Sequence, residues 1–259
     1  MTLEENPNAA QYTLEMAAHT DIGKVRSTNE DAVWSNASYA IAILADGMGG
    51  HRAGDVAAQM LVKRLVERLP IPEQQSRSRA EIAGELLARV EQVNEEIYQS
   101  ACREARYTGM CSTLVMGLFC RDFLLTAHVG DSRCYRLRQG ELTPLTRDHS
   151  LLQMQIDAGL IRPEDARFSS IKNLITRAVG IESVVEAECN GYDVEADDIY
   201  LFSSDGLHDL LPEPEITLIL ETHADDPDTA CIRLIEQANA RGGHDNISVI
   251  VAKICTSRA

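Results

Sequence analysis

The sequence predicts an α+β fold in which helices pack against the faces of β-sheets. Two observations support this prediction. Long stretches with an apolar residue at every third or fourth position indicate amphipathic helices, and clusters of short apolar runs indicate strands. Strand clusters combined with long helices favour sheets whose faces are covered by helices. The 259 residues, of which 44% are hydrophobic, suffice for a sizeable core in one or two domains.

The first part of the chain predicts two strands and two helices. Apolar runs indicate strands at 12–18 and 39–45. A helix follows over 51–69, where leucines recur every four residues, and Pro70 ends it. A second helix covers about 80–104 and carries its apolar residues on one face.

The middle of the chain changes to the shorter period of strands. Runs at 111–120 and 123–130 are apolar throughout. Residues 134–145 predict a hairpin that turns at Gln139 and Gly140, because a short turn that contains glycine between two strand-like runs is typical of hairpins.

Residues 148–180 are charged and lack strand signals, so we expect a helical insertion between strands. A short helix that starts at Ser150 would end at Gly159, and another would begin near Pro163. Beyond the insertion, regular elements resume as a strand within 197–207, helices near 213–222 and 227–240, and a last strand at 247–254.

Composition excludes several classes of partner. The formal net charge of −16 argues against binding to nucleic acid or to an anionic membrane surface, since both need a basic surface. The seven cysteines form no C-x-x-C pair, and they read as buried thiols in a reducing compartment. The first residues resemble no secretory signal, and no segment is apolar enough to span a membrane. We therefore expect a cytoplasmic protein with no membrane anchor or sensor domain after the last strand.

Four aspartates lie where apolar strands end or begin, and glycines accompany each of them. Asp46 follows the run 40–45 and precedes Gly47, Asp205 and Asp131 follow two further runs, and Asp245 precedes the last strand. A single Asp-Gly pair is usually a turn. Four in one chain indicate that the carboxylates converge at one end of the sheets.

Converged carboxylates need a cation, because like charges raise each other's pKa. Oxygen ligands without His or Cys suit Mg²⁺ or Mn²⁺. Two such ions can share a water and deprotonate it, and the resulting hydroxide is a nucleophile suited to the hydrolysis of a phosphate ester. Gly47 would let a bare backbone carbonyl reach one ion. In the segment GKVRSTNED, Arg26 could grip phosphate oxygens, and Glu30 and Asp31 are further oxygen donors acting through metal-bound water.

Together these residues resemble the PPM family of metal-dependent (type 2C) protein phosphatases, in particular the bacterial serine/threonine branch. The resemblance covers roughly residues 12–254 and rests on eight motifs: RSTNED (26–31), ADGMGGHRAGDVAA (45–58), CSTLV (111–115), VGDSRCY (129–135), LTRDHSLLQ (145–153), NLITRAVG (173–180), FSSDGLHDLL (202–211) and GGHDNISVI (242–250). It implies one domain over 1–259 built as a four-layer α-β-β-α sandwich with a central antiparallel β-sandwich. Residues 148–185 would form a small flap that borders the site and affects substrate choice.

The resemblance also implies roles for individual residues. Asp46 would bridge two Mn²⁺ or Mg²⁺ ions, and Gly47 would give its carbonyl to one of them. Asp205 and Asp245 would complete the coordination of the other ion, and Asp131 would help to hold a third, more weakly bound ion. The remaining implied residues support these: Glu30 acts through water, Arg26 binds the substrate phosphate, and Asp31 and Asn246 support the ligands from behind.

One position departs from the eukaryotic pattern of the family, in which a histidine proposed as general acid follows the Asp-Gly pair. Met48 stands there in this chain, as is usual in the bacterial branch. A leaving alkoxide needs a proton, and a metal-bound water is the leading candidate donor ahead of His51. His208 and His244 receive no role.

The hydroxyls of CSTLV allow two interpretations. Ser112 and Thr113 could suggest a nucleophile, but no base accompanies them in the sequence. A core strand whose hydroxyls are satisfied internally is therefore favoured.

The sequence thus predicts a monomeric serine/threonine protein phosphatase in which a hydroxide bridging two metal ions attacks phosphorus directly. Its partners would be phosphorylated proteins and a cognate serine/threonine kinase that it counteracts in bacterial signalling. Two alternatives stay open: a catalytically silent regulatory module with the same fold, which loss of ligands would reveal, and a phosphotransferase with an aspartyl nucleophile. Enzymes of the latter kind place a second Asp two residues after the first, where this chain has Met48.

Overall fold

The computed structural model describes residues 12–49, 53–68, 77–162, 165, 169, 171 and 174–256. Several predicted features lie outside these described residues: the chain before Tyr12, the last residue of the first helix, most of the turn after it, and the start of the second flap helix at Pro163. His51 lies outside them as well.

Eleven strands of the described chain form two antiparallel sheets. In chain order the strands are β1 Tyr12–Asp21, β2 Asp31–Asn36, β3 Ile41–Met48, β4 Cys111–Ser112, β5 Leu114–Phe119, β6 Phe123–Val129, β7 Arg133–Arg138, β8 Glu141–Pro144, β9 Glu188–Asp193, β10 Ile199–Ser203 and β11 Ile247–Thr256. One sheet has the order β1-β11-β10-β7-β8, and the other has the order β2-β3-β5-β6-β9 with β4 paired to β3. All strand pairs are antiparallel.

Six α-helices accompany the sheets in the described residues: α1 Ala53–Arg68, α2 Arg79–Arg103, α3 Leu151–Asp157, α4 Asp205–His208, α5 Glu213–Thr222 and α6 Pro227–Ala240. Local chemistry explains where the long ones begin. At α2, the Ser78 side chain and Glu81 form a capping box. At α6, the Asp226 side chain accepts from the Thr229 N–H, and proline occupies the first helical position.

Central strands such as β5, β6 and β10 are buried on both faces, which produces four layers. Along β3, Ile41, Ile43 and Ala45 pack in the cluster that contains the buried faces of α1 and α2. The alternate residues Ala42 and Leu44 pack in the cluster between the two sheets. A third cluster joins the outer face of the other sheet to α5 and α6. Each fully buried Leu or Ile contributes about 1.5–3 kcal/mol, so this α-β-β-α sandwich is held by three layers of apolar side chains.

The structure confirms most of the predicted elements. The helices predicted at 80–104, 213–222 and 227–240 match α2, α5 and α6 to within a residue. The predicted hairpin is β7–β8, and its turn residues Gln139 and Gly140 have φ of 51° and 81°. Left-handed backbone at both positions is the geometry of a two-residue hairpin turn.

The insertion begins as predicted. Helix α3 starts after Ser150, whose side chain accepts from the Gln153 N–H. The helix ends at Asp157, two residues before Gly159, whose φ of 69° is left-handed. Glycine adopts that conformation without steric cost, which explains the end of the helix.

Two strands, β2 and β9, were not predicted, and one predicted strand was longer than the structure shows. β2 and β9 are mostly partly buried or exposed, and they form the edges of one sheet. The predicted strand 111–120 is interrupted at Thr113, where the chain passes from β4 to β5. None of the helices in the described part of the chain is both long and apolar enough to cross a membrane.

Candidate metal centre

Both sheets deliver aspartates to the same end of the sandwich. Asp46 lies in β3, and Asp131 comes two residues after β6 of the same sheet. From the other sheet, Asp205 comes two residues after β10, and Asp245 comes two residues before β11. Burial and the charges of Asp31, Asp205, Asp131 and Asp245 raise the pKa of Asp46 well above its usual value. The four strand-end aspartates are therefore close enough to repel one another.

Asp31 lies directly opposite Asp46 in the β2–β3 pair and joins the two sheets. Its side chain is 8% exposed, and its Oδ2 accepts a hydrogen bond of 2.9 Å from the Ser204 hydroxyl. Its Oδ1 is buried without a protein partner. Burial raises the pKa of Asp31 to about 6, since hydrogen bonds to its carboxylate compensate only part of the lost solvation.

Asp205 has the same deficiency. Its Oδ1 is also buried without a protein partner, and burial with the charges of Asp131, Asp245 and Asp209 raises its pKa well above the usual value. A buried carboxylate oxygen without a donor is costly unless a cation or ordered water satisfies it. Two such oxygens among converging acids fit hard cations such as Mg²⁺ or Mn²⁺.

The carboxylates are spread more widely than the ligand shell of one ion. Among the described residues, the only three ligating side-chain atoms of different residues that lie within 4.8 Å of one another belong to His128, His149 and Glu188. The acidic set is therefore better suited to ions that keep several waters, as Mg²⁺ usually does.

The backbone of Asp46 is fixed by the segment after β4. The Asp46 N–H donates to Thr113 Oγ1 at 3.0 Å, and the Asp46 carbonyl accepts from the Thr113 N–H at 2.8 Å and from the Ser112 hydroxyl at 2.9 Å. Thr113 Oγ1 also lies 2.7 Å from Ser132 Oγ. The interpretation of Ser112 and Thr113 as internally satisfied hydroxyls is confirmed, and they hold the position of Asp46.

Gly47 is required by close packing at the start of α1. A Cβ at this position would lie 2.0 Å from the Gly54 carbonyl oxygen and 2.7 Å from the Glu30 carbonyl oxygen. The Gly47 N–H donates to that same Glu30 oxygen at 3.1 Å. Any side chain here would push the helix away from the strand that carries Asp46.

Asn246 shapes the loop that carries Glu30. Its Oδ1 accepts from the Glu30 N–H at 2.8 Å, and its Nδ2 donates to the carbonyls of Ile22 and Thr28 at 3.0 Å each. Burial raises the pKa of Glu30, with Asp55 adding to the effect and Arg26 opposing it. Asn246 thus fixes the backbone of the loop.

Arg26 is placed against one of the predicted ligands. Its Nη2 donates to Asp245 Oδ2 at 2.6 Å, and its side chain is 51% exposed. The Asp245 carboxylate also accepts from the Asn246 N–H at 2.8 Å. This ion pair uses one of five guanidinium N–H groups, so the arginine keeps donors for a phosphate at the mouth of the site.

Asp131 follows a turn that only glycine can make. Gly130 has φ of 100°, and a Cβ there would lie 2.7 Å from Thr113 Cγ2. Asp131 is 8% exposed, and burial together with the charge of Asp148 raises its pKa to about 6, with Arg133 opposing the shift.

Three further residues considered in the sequence analysis are Met48, His208 and His244. Met48 pairs with Cys111 on β4, and its thioether side chain has no proton to donate. His208 Nδ1 lies 3.2 Å from Ser203 Oγ, and His244 is exposed.

Sequence reasoning overlooked several residues that contribute to the cluster. Ser204 supports Asp31, and the charges of Asp55 and Asp209 act on Glu30 and Asp205 respectively. Both aspartates lie inside quoted motifs, but neither adjoins a strand end, which was the signal used to select the others.

Comparisons with known proteins agree with this geometry. A family model described as protein phosphatase 2C matches residues 24–222. The serine/threonine phosphatase stp of Listeria welshimeri is 38% identical over 237 residues, which are 90% of this chain and 93% of stp. The serine/threonine protein phosphatase PstP of Mycobacterium tuberculosis is 38% identical over 246 residues, which are 93% of this chain and 45% of PstP.

One solved structure similar to this chain contains metal ions. The crystal structure of the catalytic domain of the serine/threonine protein phosphatase PstP, in complex with two manganese ions, matches with a TM-score of 0.82 and 36% identity. The match covers 94% of this chain and 99% of that domain.

Proposed function

The chain belongs to the protein phosphatase 2C family, and on that premise we propose that it removes phosphate from phosphoserine and phosphothreonine in proteins, with Mn²⁺ or Mg²⁺ as cofactor. The observation that carries the proposal is the pair of buried carboxylate oxygens, on Asp31 and Asp205, that lack a protein partner among mutually repelling acids. Divalent cations would compensate these buried, mutually repelling carboxylates, whose burial without a cation is costly.

We assign the predicted ligands to two ions and a weaker third. Asp46, the Gly47 carbonyl, Asp205 and Asp245 would hold the pair, and Asp131 would contribute to the third. Glu30 would act through water. When bound, such ions supply an activated water and neutralise charge on the phosphate.

The chain's own residues orient the reactants. Thr113 and Ser112 fix the backbone of Asp46, and Asn246 fixes the loop that presents Glu30. Arg26 would bind phosphate oxygens through its unused N–H groups, at the exposed edge of the cluster. Because Met48 cannot donate a proton, the leaving alkoxide would take its proton from water.

The silent regulatory module remains the alternative of a different class. The buried oxygens of Asp31 and Asp205 that lack a protein partner, together with the charges that act on Asp46, support the enzyme over a module that has lost its ligands. A silent module would bind Mn²⁺ or a phosphopeptide without turnover, whereas a phosphoaspartate trapped on Asp46 would favour a phosphotransferase.

We further propose that the protein is a cytoplasmic monomer that counteracts a serine/threonine kinase. All seven cysteines are free thiols, which suits a reducing compartment. A phosphoproteome compared with and without the active protein would test the kinase connection, because shared phosphosites of one kinase should rise when the phosphatase is absent.

The enzyme assay is direct. A phosphothreonine peptide should release phosphate in Mn²⁺, and chelator should abolish the release. Asp46→Asn should abolish turnover while the protein stays folded, and Asp193→Asn, at a surface carboxylate that is 75% exposed, should behave as wild type. Full activity in chelator would contradict the proposal.

A further inference from the structure

His149 lies between the Asp131 turn and the base of the flap. It follows β8 and is 7% exposed. Its Nδ1 accepts from the Gly130 N–H at 3.2 Å, and its own backbone N–H donates to the Gly130 carbonyl at 2.8 Å. Both polar groups of the Gly130 backbone, one residue before Asp131, are therefore held by this single histidine.

The contacts define the proton positions on the ring. A backbone N–H can only donate, so His149 Nδ1 is the unprotonated acceptor, and the ring proton sits on Nε2. Nε2 lies 3.1 Å from Glu188 Oε1, which accepts that proton's hydrogen bond. The ring is neutral because Nδ1 accepts a hydrogen bond, and burial together with the neighbouring His128 lowers the pKa of His149 in the same sense.

A metal ion does not fit among His128, His149 and Glu188, although their ligand atoms are close. The two imidazoles are stacked, with centroids 4.6 Å apart and planes inclined by 24°. Imidazole lone pairs lie in the ring plane, so nearly parallel stacked rings cannot both point at one ion. The Arg177 Nη1 donates to Glu188 Oε1 at 3.4 Å. It also lies 3.3 Å from His149 Nε2, but this contact is not a hydrogen bond, because the guanidinium can only donate and Nε2 carries the ring proton. The cluster is a hydrogen-bonded support.

The same histidine fastens the flap. The Thr176 N–H donates to the His149 carbonyl at 2.7 Å, and the Leu151 N–H donates to the Leu174 carbonyl at 2.8 Å. The chain entering the flap is thus bonded to the chain leaving it. On the other side, Arg133 makes two hydrogen bonds to Asp148, at 2.8 and 2.7 Å, which tie the residue before His149 to the Asp131 turn.

We propose that His149 is a positioning residue that fixes the Gly130–Asp131 turn and thereby sets the affinity of the weakest metal ion, linking that ion to the flap base. This inference rests on the proposed function, because it takes Asp131 as a ligand of that ion. The essential contact is the acceptor at Nδ1. The contact of Nε2 with Glu188 only orients the ring.

Two variants separate those contacts. In His149→Asn the amide oxygen can occupy the place of Nδ1 and accept from Gly130, whereas in His149→Gln the amide reaches the place of Nε2 and leaves the Gly130 N–H without its acceptor. Mn²⁺ bound per chain is counted by the loss of the free-ion EPR signal during titration, and thermal melting is recorded for each variant without metal.

We expect His149→Gln to weaken the weakest class of Mn²⁺ by about tenfold or more, the effect typical of residues that orient ligands, with the tighter ions unchanged. His149→Asn should stay within about threefold of wild type. Equal weakening in both variants, or no change in either, would overturn the inference, as would weakening of all Mn²⁺ classes in step with a lowered melting temperature.

A measurement on the wild type covers the case in which a variant fails to fold. The ring ¹⁵N shifts of His149 should show Nδ1 unprotonated and Nε2 protonated, and the reverse assignment would overturn the inference. Failure of the proposed function is distinguishable, because wild-type protein without Mn²⁺-dependent hydrolysis would refute the enzyme, whereas an active wild type with identical variants would refute only the role of His149.

Discussion

Strand β10 is flanked by two buried aspartates that are treated in opposite ways. Asp198 precedes the strand, is fully buried, and accepts hydrogen bonds from Arg138 Nε and Nη2, the Glu195 N–H and the Tyr200 hydroxyl. Asp205 follows the strand, has a buried oxygen without a protein partner, and faces other acids. The same five-residue strand thus separates a satisfied carboxylate from an unsatisfied one.

The difference teaches which end of the sandwich is built for stability and which for a ligand. At the Asp198 end an arginine supplies the compensating charge, and the hydrogen bond to Asp198 raises the pKa of Arg138. At the Asp205 end, Arg26 pairs with Asp245 and stays half-exposed, and within the part of the chain that the structure describes no partner reaches Asp205 Oδ1. We give the role of compensating this carboxylate to metal ions.

The largest expected effect is the loss of activity in Asp205→Asn. Removing a ligand costs several kcal/mol of transition-state stabilisation, so kcat should fall by about 10³-fold or more. The metal-free protein should be no less stable than wild type, because one of the repelling charges is gone. Peptide dephosphorylation in Mn²⁺ and urea unfolding without metal check the two parts, and a variant with both normal activity and normal Mn²⁺ requirement would remove Asp205 from the site.

Asp198→Ala should give the opposite result. Breaking a buried pair leaves the Arg138 guanidinium with less compensation, and we expect a loss of about 3–5 kcal/mol in the free energy of unfolding. The loss should be the same with and without Mn²⁺, and kcat per folded molecule should not change. Asp193→Ala, which removes an exposed partner of Arg79, is the matched control and should cost less than about 1 kcal/mol.

Mn²⁺ itself should stabilise the protein through the Asp205 end alone. At a free concentration of 100 times Kd, one site adds about 2.7 kcal/mol to the free energy of unfolding. Wild type and Asp198→Asn should both show this gain in thermal melts with and without the ion. Asp46→Asn should show less of it, and an undiminished gain in that variant would place the binding elsewhere.

The most gradual expected effect is a pH dependence of the metal-free protein that arises from Asp31. Its pKa is raised to about 6 in the folded state from 3.8, so the folded protein binds more protons than the unfolded chain between those values. The resulting stability is fully present below about pH 4 and is lost as the pH rises through about 6, by about 1.4 kcal/mol per pH unit and roughly 3 kcal/mol in all. Urea unfolding at several pH values gives the free energy of unfolding of wild type and of Asp31→Asn, and the wild-type value minus the variant value isolates this step. A difference that grew with pH would have the wrong sign.

Secondary structure could be predicted from the sequence wherever a local pattern, such as the spacing of apolar residues or a turn, determines the element. The apolar stripes of α2 and α6 and the hairpin turn at Gln139 are local signals, and the structure confirms them. β9 could not be predicted in this way, because it is a sheet edge with no fully buried residue, and Gly191 interrupts it.

The strand-end aspartates could be selected from the sequence, whereas most of the contacts that hold them in place could not. Strand-end position selected Asp46, Asp131, Asp205 and Asp245, and the structure brings them together. Contacts such as Ser204 with Asp31, 173 residues apart, exist only after both sheets have paired, so no local pattern announces them. The same reason hid His149, whose partners come from three separate segments.

The most direct test of the central claim is anomalous diffraction at the manganese edge from crystals grown with Mn²⁺. We expect anomalous peaks between Asp46, Asp205 and Asp245, with one beside the Gly47 carbonyl, and none near Asp198. Absence of manganese from this end of the sandwich, with the carboxylates dispersed, would contradict the account.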